Sequence, residues 1–253
     1  MKVNLKKKEQ IKSSLKKIIS HFLVDVETCN YQRIIMELSF MIVSKFYTIP
    51  KKFCFIIKEV WENEEYRNGI FAKDKIKHWQ EMLDNGTAQL ISIYKLYNFI
   101  NKIIKEEGIT VFTAFNANFD YLAIANTYHR YGIDKRENYE KENQLLQLQK
   151  FDLWEYATKI YCTEEYVNWA IKNEKFTPKG KLQSNAQAIY QFLTRNNKFE
   201  ETHFGIEDLQ IEYTIFMSSV VQNTLNRNNK VILNKNGNWR TIENFRKEKE
   251  KVA

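Results

Sequence analysis

Phe22-Leu23-Val24-Asp25-Val26-Glu27-Thr28 is a short run in which two acids alternate with β-branched residues. On a strand, residues two apart project from one face, so Asp25 and Glu27 stand side by side, about 7 Å apart along the backbone. Two carboxylates so placed repel, and a buried pair is tolerated only with a cation or with protons. The stretch therefore predicts a strand around which other acids gather.

The chain on either side supplies a frame for that strand. Apolar runs over 34–47 and 53–60, the second preceded by Pro50 and Lys51-Lys52, predict two more strands and an antiparallel meander. The period then changes. Ile70, Phe71, Ile76, Trp79, Met82 and Leu83 predict a helix ending at Asn85-Gly86. Leu90, Ile93, Leu96, Tyr97, Ile100, Ile103 and Ile104 predict another that stops at Gly108. A buried strand over 109–115 leads into a helix over 116–131 with Asp120 in its first turns. Residues 134–147 are highly charged and are expected at the surface. A strand over 150–156 runs into a helix, and Thr177-Pro178-Lys179-Gly180-Lys181 reads as a turn. A helix over 184–193, capped by Ser184, and a helix over 207–225 follow. Residues 5–20 read as a basic amphipathic helix, and 230–253 as a charged tail with a hairpin signal at Lys235-Asn236-Gly237-Asn238. The whole, 1–253, is expected to be one α/β domain with a mixed sheet flanked by helices and a core over about 20–225.

Composition narrows the classes. Of 253 residues, 43% are hydrophobic and 14% aromatic, which excludes a disordered chain; with only 7 Gly and 2 Pro, no flexible linker divides it. The net charge of +8 favours a polyanionic partner, through phosphate neutralisation and counterion release. Cys29, Cys54 and Cys162 are widely spaced and form no CxxC pair, so neither a disulfide framework nor a zinc knuckle is supported. No apolar run reaches membrane-span length and the basic N-terminus lacks a signal core, so no membrane association and a cytoplasmic location are expected.

Asp120 follows a predicted central strand, where α/β proteins place ligands. Asp208 lies on the last strong helix, five residues after His203. Taken singly, Asp120 reads as a helix-start acid, Asp208 and Glu212 as solvated face residues, and His203 as a surface histidine, like His21, His78 and His129. Taken together, Asp25, Glu27, Asp120 and Asp208 come from three separated segments and form an oxygen-rich set suited to Mg²⁺ or Mn²⁺.

Three motifs in order give this set a family likeness. Asp25-Val26-Glu27 followed by Thr28, then Asn116-Ala117-Asn118-Phe119-Asp120, then His203-Phe204-Gly205-Ile206-Glu207-Asp208 resemble the motifs of DnaQ-like (DEDDh) 3′–5′ exonucleases of the ribonuclease H-like superfamily, over about residues 20–220. Residues 78–130 and 184–208 also look like phage-encoded members. The sequence departs from the pattern in the Cys29-Asn30-Tyr31 loop and at Phe115, which bears on how a 3′ end is seated. The resemblance implies a ribonuclease H-like fold and release of nucleoside monophosphates from a 3′ end with two Mg²⁺ or Mn²⁺. Asp25 is expected to bridge the ions, Glu27, Asp120 and Asp208 to complete the ligand set, and His203 to act as general base. Thr28, Tyr31, Asn116 and Phe119 are candidates for substrate binding, Tyr31 and Phe119 by stacking. Lys73, Lys75 and Lys77 beside Trp79 are a candidate phosphate-tracking wall. Single-stranded DNA is the favoured substrate. Exoribonuclease activity on RNA or short oligoribonucleotides, a binding module with a vestigial nuclease fold, and a polymerase or replication partner stay open.

Overall fold

The computed structural model describes residues 20–44, 49–161 and 163–218. The expected N-terminal helix, the tail hairpin and the end of the last helix lie outside them. Strands β1 (His21–Thr28), β2 (Ile35–Val43), β3 (Lys51–Ile57), β4 (Gln89–Ile91), β5 (Val111–Ala114) and β6 (Gln149–Asp152) form one sheet in the order β4-β3-β2-β1-β5-β6. β1, β2 and β3 are the expected antiparallel meander, whereas β5 runs parallel to β1 and β6 parallel to β5. This mixed sheet flanked by helices is the α/β architecture expected from the sequence.

Helices α1 (Ile76–Asp84), α2 (Ile93–Glu106), α3 (Ala117–Arg130), α4 (Leu153–Tyr161), α5 (Glu164–Lys172), α6 (Ala186–Thr194) and α7 (Gly205–Met217) surround the sheet. The two faces of β1 divide the core by strand alternation. Phe22, Val24 and Val26 join Leu38 and Phe40 of β2 against Leu96, Tyr97 and Ile100 of α2. Leu23 joins Met41, Leu209 and Phe216 on the opposite face, beneath α7. Asp25 and Glu27 share that second face. They lie opposite Ser39 and Glu37 of β2, with a register shift between Glu27 and Thr28. Among the described residues no helix is long and apolar enough to cross a membrane.

Several boundaries differ from the sequence expectation. β3 ends at Ile57 because Lys58–Trp61 turns helical. Leu90 belongs to β4, which pairs with Phe55–Ile57, and Ser92 then caps α2 by accepting from Lys95 N. The helix expected from Ile70 begins at Ile76. Gly69 is pressed against the Cys29 carbonyl, where a Cβ would stand 2.4 Å from the oxygen, and Phe71 N donates to that same carbonyl at 3.1 Å. Residues 69–75 therefore form turns. The helix capped by Ser184 starts at Ala186, capped by Asn185, whose side chain accepts from Ala188 N. Helix α5, with Thr163 as its cap, had no counterpart in the sequence reading.

Candidate active site

β1 delivers Asp25 and Glu27 at its C-terminal end, β5 leads into α3 and Asp120, and α7 lays Asp208 across them. The N-terminus of α7 lies close to the sheet because residue 205 is glycine. A Cβ there would stand 2.9 Å from Glu37 Oε1 and 3.1 Å from Asp25 Oδ2. The contact is fastened by Glu37, whose side chain is fully buried. Its Oε1 accepts from Ser39 Oγ (2.8 Å), Cys54 Sγ (3.4 Å) and Ile206 N (3.0 Å), and its Oε2 from Trp79 Nε1 (2.8 Å). Glu37 is a fully satisfied acid that pins α7 to β2.

The acids around it are not satisfied. Asp25 Oδ2, Asp208 Oδ1 and Glu212 Oε2 are shut off from solvent with no hydrogen-bond donor. Asp25, Glu27 and Asp208 each place a carboxylate oxygen within 4.8 Å of the others. Asp120 is 3% exposed, and its Oδ1 accepts from Val26 N at 3.2 Å, which ties α3 to β1. Burial is the main influence on all of these groups. It raises Asp25 well above the usual carboxylate range, and the charge of Glu212 raises it further. Asp120 and Glu212 are raised in the same way, first by burial; for Glu212 the charge of Asp120 adds to it. Asp208 is pushed up to about 8, by burial and then by Glu201 and Glu27. Glu27 is pushed up to about 7 by burial, against the opposing pull of Lys75. Unpartnered buried carboxylate oxygens, raised together, are what a dication would satisfy, so the residues present fit a hard divalent ion.

Not every expected residue joins the cluster in the expected way. Lys75 is no phosphate wall: its ammonium donates to Glu27 Oε2 at 2.6 Å and to the His203 carbonyl at 2.5 Å. Lys77 pairs with Glu81 at 3.9 Å instead. His203 is exposed, with φ 58, in the loop before α7. Its ring groups with Glu201 and Asp208, each offering a ligand atom within 4.8 Å of the others. Asp208 is therefore the residue common to both acid groups, where the family likeness assigns Asp25 as the bridge. Thr28 is 6% exposed, in the irregular end of β1. Asn116 is exposed, in the left-handed region (φ 70) ahead of α3, and its N–H donates to Asp152 Oδ1 at 3.1 Å. Phe119 is half-buried, with the Arg33 guanidinium 5.0 Å from its ring centre. Tyr31 is 78% exposed and meets Phe71 edge-on at 5.1 Å between ring centres.

Two further histidines depart from the surface expectation. His21 is 4% exposed, hydrogen-bonded to Thr113 Oγ1 at 2.8 Å, and burial drives its pKa down to about 3. His78 stacks on Phe204 with ring centres 3.6 Å apart. His129 is at the surface, beside Asp134 at 2.6 Å. Sequence reasoning missed Glu37 and Glu201, and gave Lys75 to phosphate where the fold gives it to Glu27. It set Glu212 aside, although a spacing of four from Asp208 puts both on one helix face. The Glu212 Oε1 accepts from Phe115 N at 3.1 Å, joining α7 to the end of β5.

No protein-family model matches the chain, and no curated protein matches it in sequence. Among solved structures it is similar to Escherichia coli exonuclease I in complex with a dA16 oligonucleotide, at 13% identity and a TM-score of 0.46. That alignment covers 81% of this chain and 41% of the other. It is also similar to an ExoI/SSB-Ct complex, at 12% identity and a TM-score of 0.45, over 83% of this chain and 42% of the other. The chain thus spans less than half the length of these neighbours.

Proposed function

We propose that the chain is a divalent-metal-dependent 3′–5′ exonuclease of the DnaQ-like type, acting on single-stranded DNA and releasing nucleoside monophosphates. The observation that carries this reading is the meeting of Asp25, Glu27 and Asp208 within 4.8 Å, with Asp25 and Asp208 each keeping a buried oxygen that has no donor. Asp25, Glu27, Asp120 and Asp208 would hold two Mg²⁺ or Mn²⁺. These ions supply charge neutralisation at the phosphate and a more acidic water.

The chain's own residues do the rest. Asp120, anchored on Val26 N, fixes the depth of the site. His203 lies on the exposed side, where its imidazole would take the proton of the attacking water. Tyr31 and Phe71 offer an aromatic pair in the loops next to β1, on which an unpaired base stacks without regard to sequence. Thr28 and Asn116 at the strand ends, with Phe119, line the approach of the 3′ end. The net charge of +8 supports a polyanionic substrate.

The test is a 5′-labelled oligonucleotide panel of single-stranded DNA, duplex DNA and RNA with Mg²⁺ or Mn²⁺. Stepwise shortening of the single-stranded DNA, abolished by Asp25→Ala in a folded protein, is expected. Intact oligonucleotides throughout the panel would remove the enzyme reading.

A further inference from the structure

Glu201, His203 and Asp208 bring two carboxylates and an imidazole together beside the cluster. We propose that these three residues form a binding site for a borderline transition-metal dication of the Zn²⁺ class, distinct in donor chemistry from the all-oxygen group of Asp25, Glu27 and Asp208. The inference rests on the proposed function only in placing His203 as a base; the site itself stands on its own geometry.

Four observations carry it. One ligand atom from each residue lies within 4.8 Å of the others. Ligands sharing one Zn²⁺ stand within about 4 Å of each other, and the His203 ring is exposed and so free of packing that would fix its rotamer. Asp208 is 5% exposed, and its Oδ1 has no donor, so the group contains a buried ligand atom in need of a partner. The loop is also held at both residues. Glu201 N donates to Gln187 Oε1 at 3.1 Å, and the His203 carbonyl accepts from Lys75 at 2.5 Å. Finally, an imidazole nitrogen favours Zn²⁺, Fe²⁺ or Ni²⁺ over Mg²⁺ or Mn²⁺, which prefer oxygen ligands. Three protein ligands beside solvent leave a position open on the ion. An ion bound there takes the imidazole that the exonuclease reading needs free, so Zn²⁺ would inhibit the Mg²⁺-supported reaction.

The experiment titrates the 253-residue chain with Zn²⁺ by calorimetry and follows the imidazole ¹⁵N resonances, with His203→Gln identifying the His203 signals. The unmutated chain is expected to bind Zn²⁺ with a large shift of the His203 nitrogens. Glu201→Gln, checked for folding by circular dichroism, is expected to lose about 10- to 100-fold in Zn²⁺ affinity while its Mg²⁺ affinity stays within about threefold. Zn²⁺ that leaves the His203 resonances in place, or binds Glu201→Gln as it binds the parent, overturns the site. The resonance shift is read on the unmutated chain, so a misfolded Glu201→Gln cannot rescue the idea. A His203 shift in a chain that cleaves no oligonucleotide keeps this site and removes the exonuclease; cleavage without a shift does the reverse.

Discussion

The Lys75 ammonium sits 2.6 Å from Glu27 Oε2, so one carboxylate of the cluster already has a cation of the protein's own. An incoming dication must compete with it. A pair of this exposure contributes roughly 1 kcal/mol, so Lys75→Met is expected to tighten Mg²⁺ binding by about fivefold in calorimetric titration. Weaker binding in that variant would mean that Lys75 organises the site and does not compete for it.

Glu37 carries the docking of α7 on four donors. Glu37→Ala leaves Trp79 Nε1 and Ile206 N buried and unpaired, at about 1–3 kcal/mol each. A loss of about 3 kcal/mol in urea unfolding is expected, with Trp79 fluorescence reporting the change at its own indole. A loss under about 1 kcal/mol would show that the acid is not the fastening.

Gly205→Ala puts a methyl group 2.9 Å from Glu37 Oε1 and 3.1 Å from Asp25 Oδ2. Neither oxygen belongs to a freely moving side-chain end, so α7 must shift. Overpacking of this kind costs about 1–3 kcal/mol. The expected result is a lower melting temperature together with weaker Mg²⁺ binding. Unchanged metal affinity would separate the helix position from the site.

Burial raises Glu27 to about 7 and Asp208 to about 8, well above their ordinary values. An acid raised in the folded state favours folding in its protonated form, and that contribution is lost as pH climbs from the unfolded value through the folded one. The metal-free protein is therefore expected to lose stability between about pH 4 and pH 8. Mg²⁺ should flatten the fall, because it takes the place of the protons. Thermal melts at pH 5 and pH 8, with and without Mg²⁺, check both. A metal-free protein more stable at pH 8 would contradict the assigned environments.

Tyr31 and Phe71 offer exposed faces to a base, with 78% and 42% of their surfaces accessible. Tyr31→Ala in an Asp25→Asn background is expected to weaken oligonucleotide binding by about 1–3 kcal/mol, read by fluorescence anisotropy. Equal affinity of Asp25→Asn with and without Tyr31→Ala would take Tyr31 out of the substrate path.

The parts of this molecule that were legible in its sequence are those with a local signature. Alternation exposed Asp25 and Glu27 on a strand, an apolar run followed by Asn116 located Asp120, and the spacing from His203 located Asp208. Residues chosen by tertiary geometry left no such mark. Lys73, Lys75 and Lys77 are equivalent in sequence; only the fold places Lys75 against Glu27. Glu37 looked like one polar position in an apolar strand until Ile206, over a hundred and fifty residues away, supplied a donor. His21 read as polar and exposed because nothing in its neighbourhood announces Thr113 as its partner. The strand and helix ends were lost where short edge pairing, as in β4, competes with helical periodicity.

Asp25 belongs to the first strand and Asp208 to the last described helix, so almost the whole described chain lies between two groups that meet at one point. Any ion gripped by both closes that long loop much as a disulfide would, removing extended conformations from the unfolded chain. Loading the site would thus act as a clasp on the domain, slowing the opening that exposes it to proteases.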